Sequence, residues 1–292
     1  MVSATLEKTK RIVWPIINDY LKDPVYPKQF AIPKKFNREI NLFWEINRVY
    51  PERKGKYLRP TLVLLTAYAL GAKNSLVAKV AAAMQLSQEW ILIHDDIEDQ
   101  SDTRRGAPTL HKLYGMELAL NAGDSLHMIM WKIIQDINLP KINEEFYKML
   151  FRTAVGQGVE QIWTNAKKHI TDSEYFFIAD SKSAYYTIAG PMRLGAIASG
   201  ATPNQIEKIT DFGLHLGRCF QLVDDILDYK QDKREGKKTL ANIKGISYAK
   251  RLAEKEKNLA LEIFNEDLDF LSALPARNEL KALIDFILER KY

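Results

Sequence analysis

The chain has 292 residues, 46% of them apolar and 27% charged, with a formal net charge of +5 and a pI near 9.0. This is a globular composition, and the cations are interleaved with acids, not gathered into the basic stripe that nucleic-acid binding requires. The single cysteine, Cys219, excludes an internal disulfide and a cysteine-rich zinc site; with no signal peptide and no apolar run read as long enough to cross a bilayer, a cytoplasmic enzyme is expected.

Residues 4–21 read as a helix bent or broken at Pro15, with Ile12, Val13, Ile16, Ile17 and Leu21 apolar. Pro24, Pro27 and Pro33 mark an extended connection before a second helix over 38–50. Pro60 suits the first turn of an apolar helix running to Leu70. The stretch from Ser75 to Asp99 is apolar nearly all round and is expected to be buried in a bundle. Further helices are expected over 118–134, 144–168, 173–199, 203–230, 249–271 and 279–290. Gly190, Gly195 and Gly200 point to a close helix contact or a kink. Strand-like alternation is nearly absent and no low-complexity linker divides the chain, so the expected fold is all-α, a single helical domain over residues 1–292.

Two acidic clusters end apolar helical runs. The first is Asp95-Asp96-Ile97-Glu98-Asp99, and the second is Asp224-Asp225-Ile226-Leu227-Asp228. Residues four apart on a helix share a face, so Asp95 and Asp99 bring their carboxylates close together. Like charges that close repel unless something lies between them, and desolvated carboxylates need cations. The repeat points to facing helices with a metal-filled gap between them.

Other residues fit an anionic ligand. Lys56 and Arg59, beside Gly55 at a helix entrance, can present two cations to one anion. Arg104 and Arg105 follow the first acidic cluster and point in different directions. Gln88 lies two turns before Asp95 in an otherwise apolar helix and needs a partner. Lys182 and Ser183 occur mid-helix, and Gln221 precedes Asp224 by three. Cys219, in an apolar run, reads as a buried structural thiol, and His94 as structural.

The ordered set GKYLRP, DDIED with TRRG, GQGVEQ at 156–161, KS at Lys182, FQLVDDILD and REGKKTL resembles the trans-prenyltransferases of the polyprenyl diphosphate synthase family from about Gly55 to Leu240. The resemblance implies an all-α isoprenoid synthase fold with a central cavity, a homodimer, and Mg²⁺, three ions per active site. It implies condensation of isopentenyl diphosphate with allylic diphosphates by ionisation, condensation and elimination. Asp95, Asp99 and Asp224 would hold the metal, supported by Asp96, Asp225 and Asp228. Arg104, Lys182 and Lys237 would hold the allylic diphosphate, with Ser183 and Gln221 near the breaking bond; Lys56, Arg59, Gln88 and Arg105 would hold isopentenyl diphosphate.

By the same resemblance Trp90 and Ile91, the fifth and fourth residues before the first cluster, form the floor under the growing chain, with His127, Met128 and Trp131 narrowing it. A single bulky aromatic there implies geranylgeranyl diphosphate as the favoured product, with farnesyl diphosphate the alternative. Departures from the family pattern are Lys54 for glycine, Tyr57 for arginine, Ser183 for threonine, and a shortened segment between Asp228 and Lys237. A class I terpene cyclase and a non-catalytic partner subunit are the competing readings; both acid clusters are intact, which speaks against the second.

Overall fold

The computed structural model describes residues 2–23, 33–166, 168–235 and 237–288. In chain order, α1 spans Val2–Leu21, α2 Asn37–Glu52, α3 Leu58–Ala69 and α4 Ser75–Glu98. A small hairpin, β1 Thr103–Arg104 and β2 Ala107–Pro108, leads to α5 Leu110–Tyr114, α6 Met116–Ile137 and α7 Pro140–Asn165. The helix α8, Asp172–Ile178, continues through a π-helical segment, Ala179–Ala189, into α9, Gly190–Ala198. The rest are α10 Pro203–Leu227, α11 Tyr229–Glu235, α12 Leu240–Lys244, α13 Ile246–Glu266 and α14 Ala276–Leu288.

The all-α expectation holds, with three local differences. Pro15 is accommodated inside α1, and the run read as one helix over 173–199 is three consecutive segments. The hairpin, α5 and α12 are too short to produce a period in sequence. Pro24, Pro27 and Arg290 lie outside the described residues.

One expectation needs correction. By length and hydropathy α4 could cross a membrane, contrary to the reading of the sequence, but 61% of its apolar window is buried inside the protein. It has the burial of a core helix, and its run of Val80 to Met84 is fully enclosed.

Contacts group the chain into two units, each discontinuous in sequence, so no linker marks them. The first comprises Leu6–Thr61 and Ala78–Leu139. Its core takes Val13, Ile17 and Leu21 from one face of α1, Ile46 and Tyr50 from α2, and Leu126, Met130 and Ile133 from α6. Trp44 and Arg48 both donate to the carbonyl of Leu21 at the end of α1, at 2.8 and 2.7 Å, and so tie α1 to α2.

The second unit comprises Met1–Thr5, Leu62–Val77 and Pro140–Tyr292. Here α10 packs on α13 and on the π-helical segment. Its close approach needs glycine: a Cβ on Gly213 would lie 2.5 Å from Cα of Ala189, and one on Gly217 would lie 2.4 Å from Cα of Ala184. A close contact is present at Gly195, where a Cβ would lie 2.4 Å from the carbonyl oxygen of Val63, while Gly200 follows the end of α9 with a φ of +76°.

Candidate active site

In the first unit, α4 delivers Asp95 and Asp96 at its end, and the hairpin folds back over them. The turn between β1 and β2 is Arg105-Gly106, both with positive φ (+56° and +75°), as a two-residue hairpin turn demands. This turn explains why adjacent arginines diverge. Arg104 returns to Asp96, donating from Nε at 3.0 Å and also from Nη2, with Nη2 3.6 Å from Asp95. Arg105 goes to a different carboxylate, that of Glu89. Arg53 fixes the hairpin by donating to the carbonyls of Arg104 and Pro108 at 3.2 and 2.8 Å.

The neighbouring aspartates divide their work. Asp96 is fully buried and also accepts from the Tyr50 hydroxyl at 2.6 Å. The Asp95 side chain keeps 31% exposure, and Asp99 is exposed. Burial, then the bond to Asp96, pushes the Tyr50 hydroxyl well above its ordinary range, so it donates and stays protonated.

The second unit repeats the arrangement on α10. Asp225 is buried, accepting from the Tyr175 hydroxyl at 2.5 Å and from Nε2 of Gln221 at 2.7 Å. Burial lifts Asp225 to about 7, while Tyr175 and Gln221 pull it back. Asp224 is partly exposed and Asp228 exposed. Gln221 therefore braces an aspartate.

Lys182 and Ser183 lie in the π-helical segment, a distortion that often accompanies function. The GQGVEQ stretch opposite explains its seat: a Cβ on Gly156 would be 2.6 Å from Cβ of Ser181, and Glu160 accepts from Lys182 at 2.6 Å. Lys237 is half-exposed, its Nζ 3.8 Å from Asp232. Lys238 reaches instead to the carbonyls of Trp163 and Lys168.

Around Arg105 a second cluster forms in the first unit. The guanidinium lies on Gly55, where a Cβ would be 2.8 Å from Nη2, so the segment just before α3 and the hairpin turn meet. Arg105 also donates to the carbonyl of Tyr50 at 3.0 Å. Arg59 is partly buried and Lys56 exposed, whereas Tyr57 is buried with a φ of +61° and is not available to a charged ligand. Gln88 is only partly buried; its neighbour Glu89 occupies the interior.

Trp90 stands against His127, ring centres 4.4 Å apart, and meets His94 edge-on at 5.7 Å. Trp131 donates from Nε1 to His127 at 2.8 Å, completing an aromatic wall between α4 and α6. Met128 is 60% exposed and takes no part in it, because it lies on the opposite side of α6 from buried Leu126 and Met130. Ile91 is partly buried. His94 is packed over Gly123, where a Cβ would overlap its ring, which suits a structural histidine.

The partners that sequence reasoning missed are Tyr50, Tyr175, Glu89 and Glu160. Tyr50 and Tyr175 are 46 and 50 residues from the aspartates they bond, so no spacing announces them. Among the described residues no three acidic, histidine or cysteine side chains are gathered as a ready-made metal cage. The exposed carboxylates offer hard oxygen donors, a few from each cluster; that suits Mg²⁺, which keeps waters and shares ligand phosphate oxygens.

The Polyprenyl synthetase family profile matches residues 41–251. A geranylgeranyl diphosphate synthase of Saccharolobus solfataricus is 32% identical over 262 residues, covering 82% of this chain and 77% of the relative. A geranylgeranyl pyrophosphate synthetase from Geoglobus acetivorans superposes with a TM-score of 0.82 at 24% identity, covering 98% of this chain and 99% of that one. A polyprenyl synthase of Caulobacter crescentus, solved with calcium and isoprenyl diphosphate, has a TM-score of 0.76 at 23% identity and covers 99% of this chain and 98% of its own.

Proposed function

The chain belongs to the polyprenyl synthetase family, and from that membership we propose that it is a short-chain prenyl diphosphate synthase, with geranylgeranyl diphosphate as its favoured product. The observation that carries this reading is the shared build of the acid clusters. In each, a tyrosine anchors a buried middle aspartate while carboxylates on either side remain open to solvent.

In this reaction the C–O bond of an allylic diphosphate breaks, and the double bond of isopentenyl diphosphate attacks the carbon so freed. A proton then leaves, with the released pyrophosphate as its acceptor. No nucleophile from the chain is needed. We assign Asp95 and Asp99 of the first cluster, and Asp224 and Asp228 of the second, to ligating three Mg²⁺ ions, and Asp96 and Asp225 to holding their own clusters in place. When bound, the metal supplies neutralisation of the charge that builds on the leaving diphosphate.

Arg104, Lys182 and Lys237 are assigned to the oxygens of the allylic diphosphate. Arg104 and Lys182 are already oriented by Asp96 and Glu160, so little side-chain entropy remains to be lost on binding. Ser183 and Gln221 are assigned positions near the breaking bond, and Lys56, Arg59, Gln88 and Arg105 to isopentenyl diphosphate. The Trp90–His127–Trp131 wall, with Ile91 beside it, supports a floor that stops growth at geranylgeranyl length.

A homodimer is part of the proposal. Along α7 the apolar side chains of Tyr147, Phe151, Val155 and Ile162 are 57, 59, 41 and 65% exposed at helical spacing, a row that a second copy of the chain would cover. A cytoplasmic location is proposed on the 27% charged composition and the lone thiol.

The test is incubation with Mg²⁺, isopentenyl diphosphate and each allylic primer, with products sized by mass spectrometry. A twenty-carbon diphosphate supports the reading, and a fifteen-carbon one moves the floor. A cyclic hydrocarbon would make the chain a terpene cyclase, and no turnover a partner subunit.

A further inference from the structure

Glu89 has no role in the scheme above, yet it is among the most enclosed charged residues of the chain, 1% exposed within the apolar helix α4. Gln85, one turn earlier, donates to its Oε1. Arg105 donates from Nη2 to Oε1 at 3.1 Å and places Nη1 3.0 Å from Oε2. Nη1 also donates to the Tyr50 carbonyl. A guanidinium has five N–H donors; these contacts leave Nε–H and one Nη2–H, and the guanidinium itself fills the space where a side chain on Gly55 would stand. The field of Arg59 also reaches Glu89.

A buried carboxylate is costly unless paired and hydrogen-bonded, and an apolar residue would serve α4 equally well if packing were all that mattered. The hydrogen bond to Oε1, with the ion pair to Oε2 beside it, instead fixes where the guanidinium lies. We propose that Glu89 is a positioning residue for the isopentenyl diphosphate subsite: it holds Arg105 flat against Gly55, so that the two remaining N–H groups of Arg105 meet the diphosphate presented there. Gln85 holds Glu89 in turn. This rests on the assignment of Lys56, Arg59, Gln88 and Arg105 to that subsite.

Steady-state kinetics of Glu89→Gln, Arg105→Ala and the double variant, with each substrate varied in turn, test it. Glu89→Gln keeps the shape but loses the charge and one acceptor; its KM for isopentenyl diphosphate is expected to rise about tenfold, with kcat and the allylic KM changing by less than about twofold. Arg105→Ala is expected to raise the same KM at least as much, and the double variant to be no worse than Arg105→Ala alone, because Glu89 acts through Arg105. An unchanged KM in Glu89→Gln beside a raised one in Arg105→Ala would overturn the proposal and leave the subsite standing, as would a loss confined to kcat or full additivity in the double variant. An unchanged KM in Arg105→Ala would remove the subsite assignment and the proposal with it. Should Glu89→Gln fail to fold, Gln85→Met removes the brace alone: a smaller rise in the same KM supports the proposal, and none overturns it.

Discussion

The hydroxyl of Tyr175 donates a 2.5 Å hydrogen bond to Oδ2 of Asp225. The hydroxyl of Tyr50 does the same for Asp96 at 2.6 Å. In both acid clusters, then, the middle aspartate is an internal anchor, and the carboxylates on either side of it, more exposed, are the ones proposed to reach a ligand. Fixing the anchor sets the height and rotation of the helix end that carries the others.

Removing either hydroxyl leaves a buried carboxylate short of a donor. Tyr175→Phe and Tyr50→Phe are each expected to lower unfolding free energy by about 1–3 kcal/mol, read as a lower urea midpoint with an unchanged slope. A midpoint equal to the parent's in both would mean that the anchors contribute nothing.

Trp90 packs against His127, ring centres 4.4 Å apart, and that wall is the proposed floor under the growing chain. Trp90→Ala should give products longer than twenty carbons by mass spectrometry. An unaltered product distribution would place the floor on other residues.

Cys219 is 1% exposed on α10, and burial pushes its thiol up to about 12. Thiolate is the reactive form, so at pH 8 almost none is present in the folded protein. A disulfide-exchange reagent should leave the native chain unlabelled and titrate one thiol per chain in denaturant. Fast native labelling would contradict the packing of α10.

The exposed row on α7 should be covered by a second copy. Phe151→Glu, which sets a charge in the middle of the row next to Tyr147, 5.8 Å away ring to ring, is expected to convert dimer to monomer by light scattering. An assembly unaffected by this change would put the contact elsewhere.

Periodicity and charge made much of this legible in sequence. Apolar spacing located the long helices, and the repeat of three aspartates located both clusters, since both signals are local. What stayed hidden was set by distant contacts. The opposite courses of Arg104 and Arg105 come from a hairpin turn in which Arg105, not a glycine, takes a positive φ beside Gly106. The π-helical segment around Lys182 shows the same apolar residues as an ordinary helix, and it packs closely on Gly156, 26 residues before Lys182, where a Cβ would meet Ser181. Gln88 stands out as a glutamine in an apolar helix, but the buried member of that adjacent pair is Glu89, and the apolar pattern does not distinguish them.

The central claim is that carboxylates of both clusters hold the metal that draws pyrophosphate from an allylic substrate. Its most direct test is the rate of isopentenyl diphosphate incorporation as Mg²⁺ is titrated into the parent protein, Asp95→Ala and Asp224→Ala, each checked for helical content by circular dichroism. The parent rate should rise from zero and saturate, and each variant, still folded, should lose about a thousandfold or more at saturating metal. Near-parental turnover in either folded variant, or turnover in the parent that persists after the metal is chelated, would contradict it.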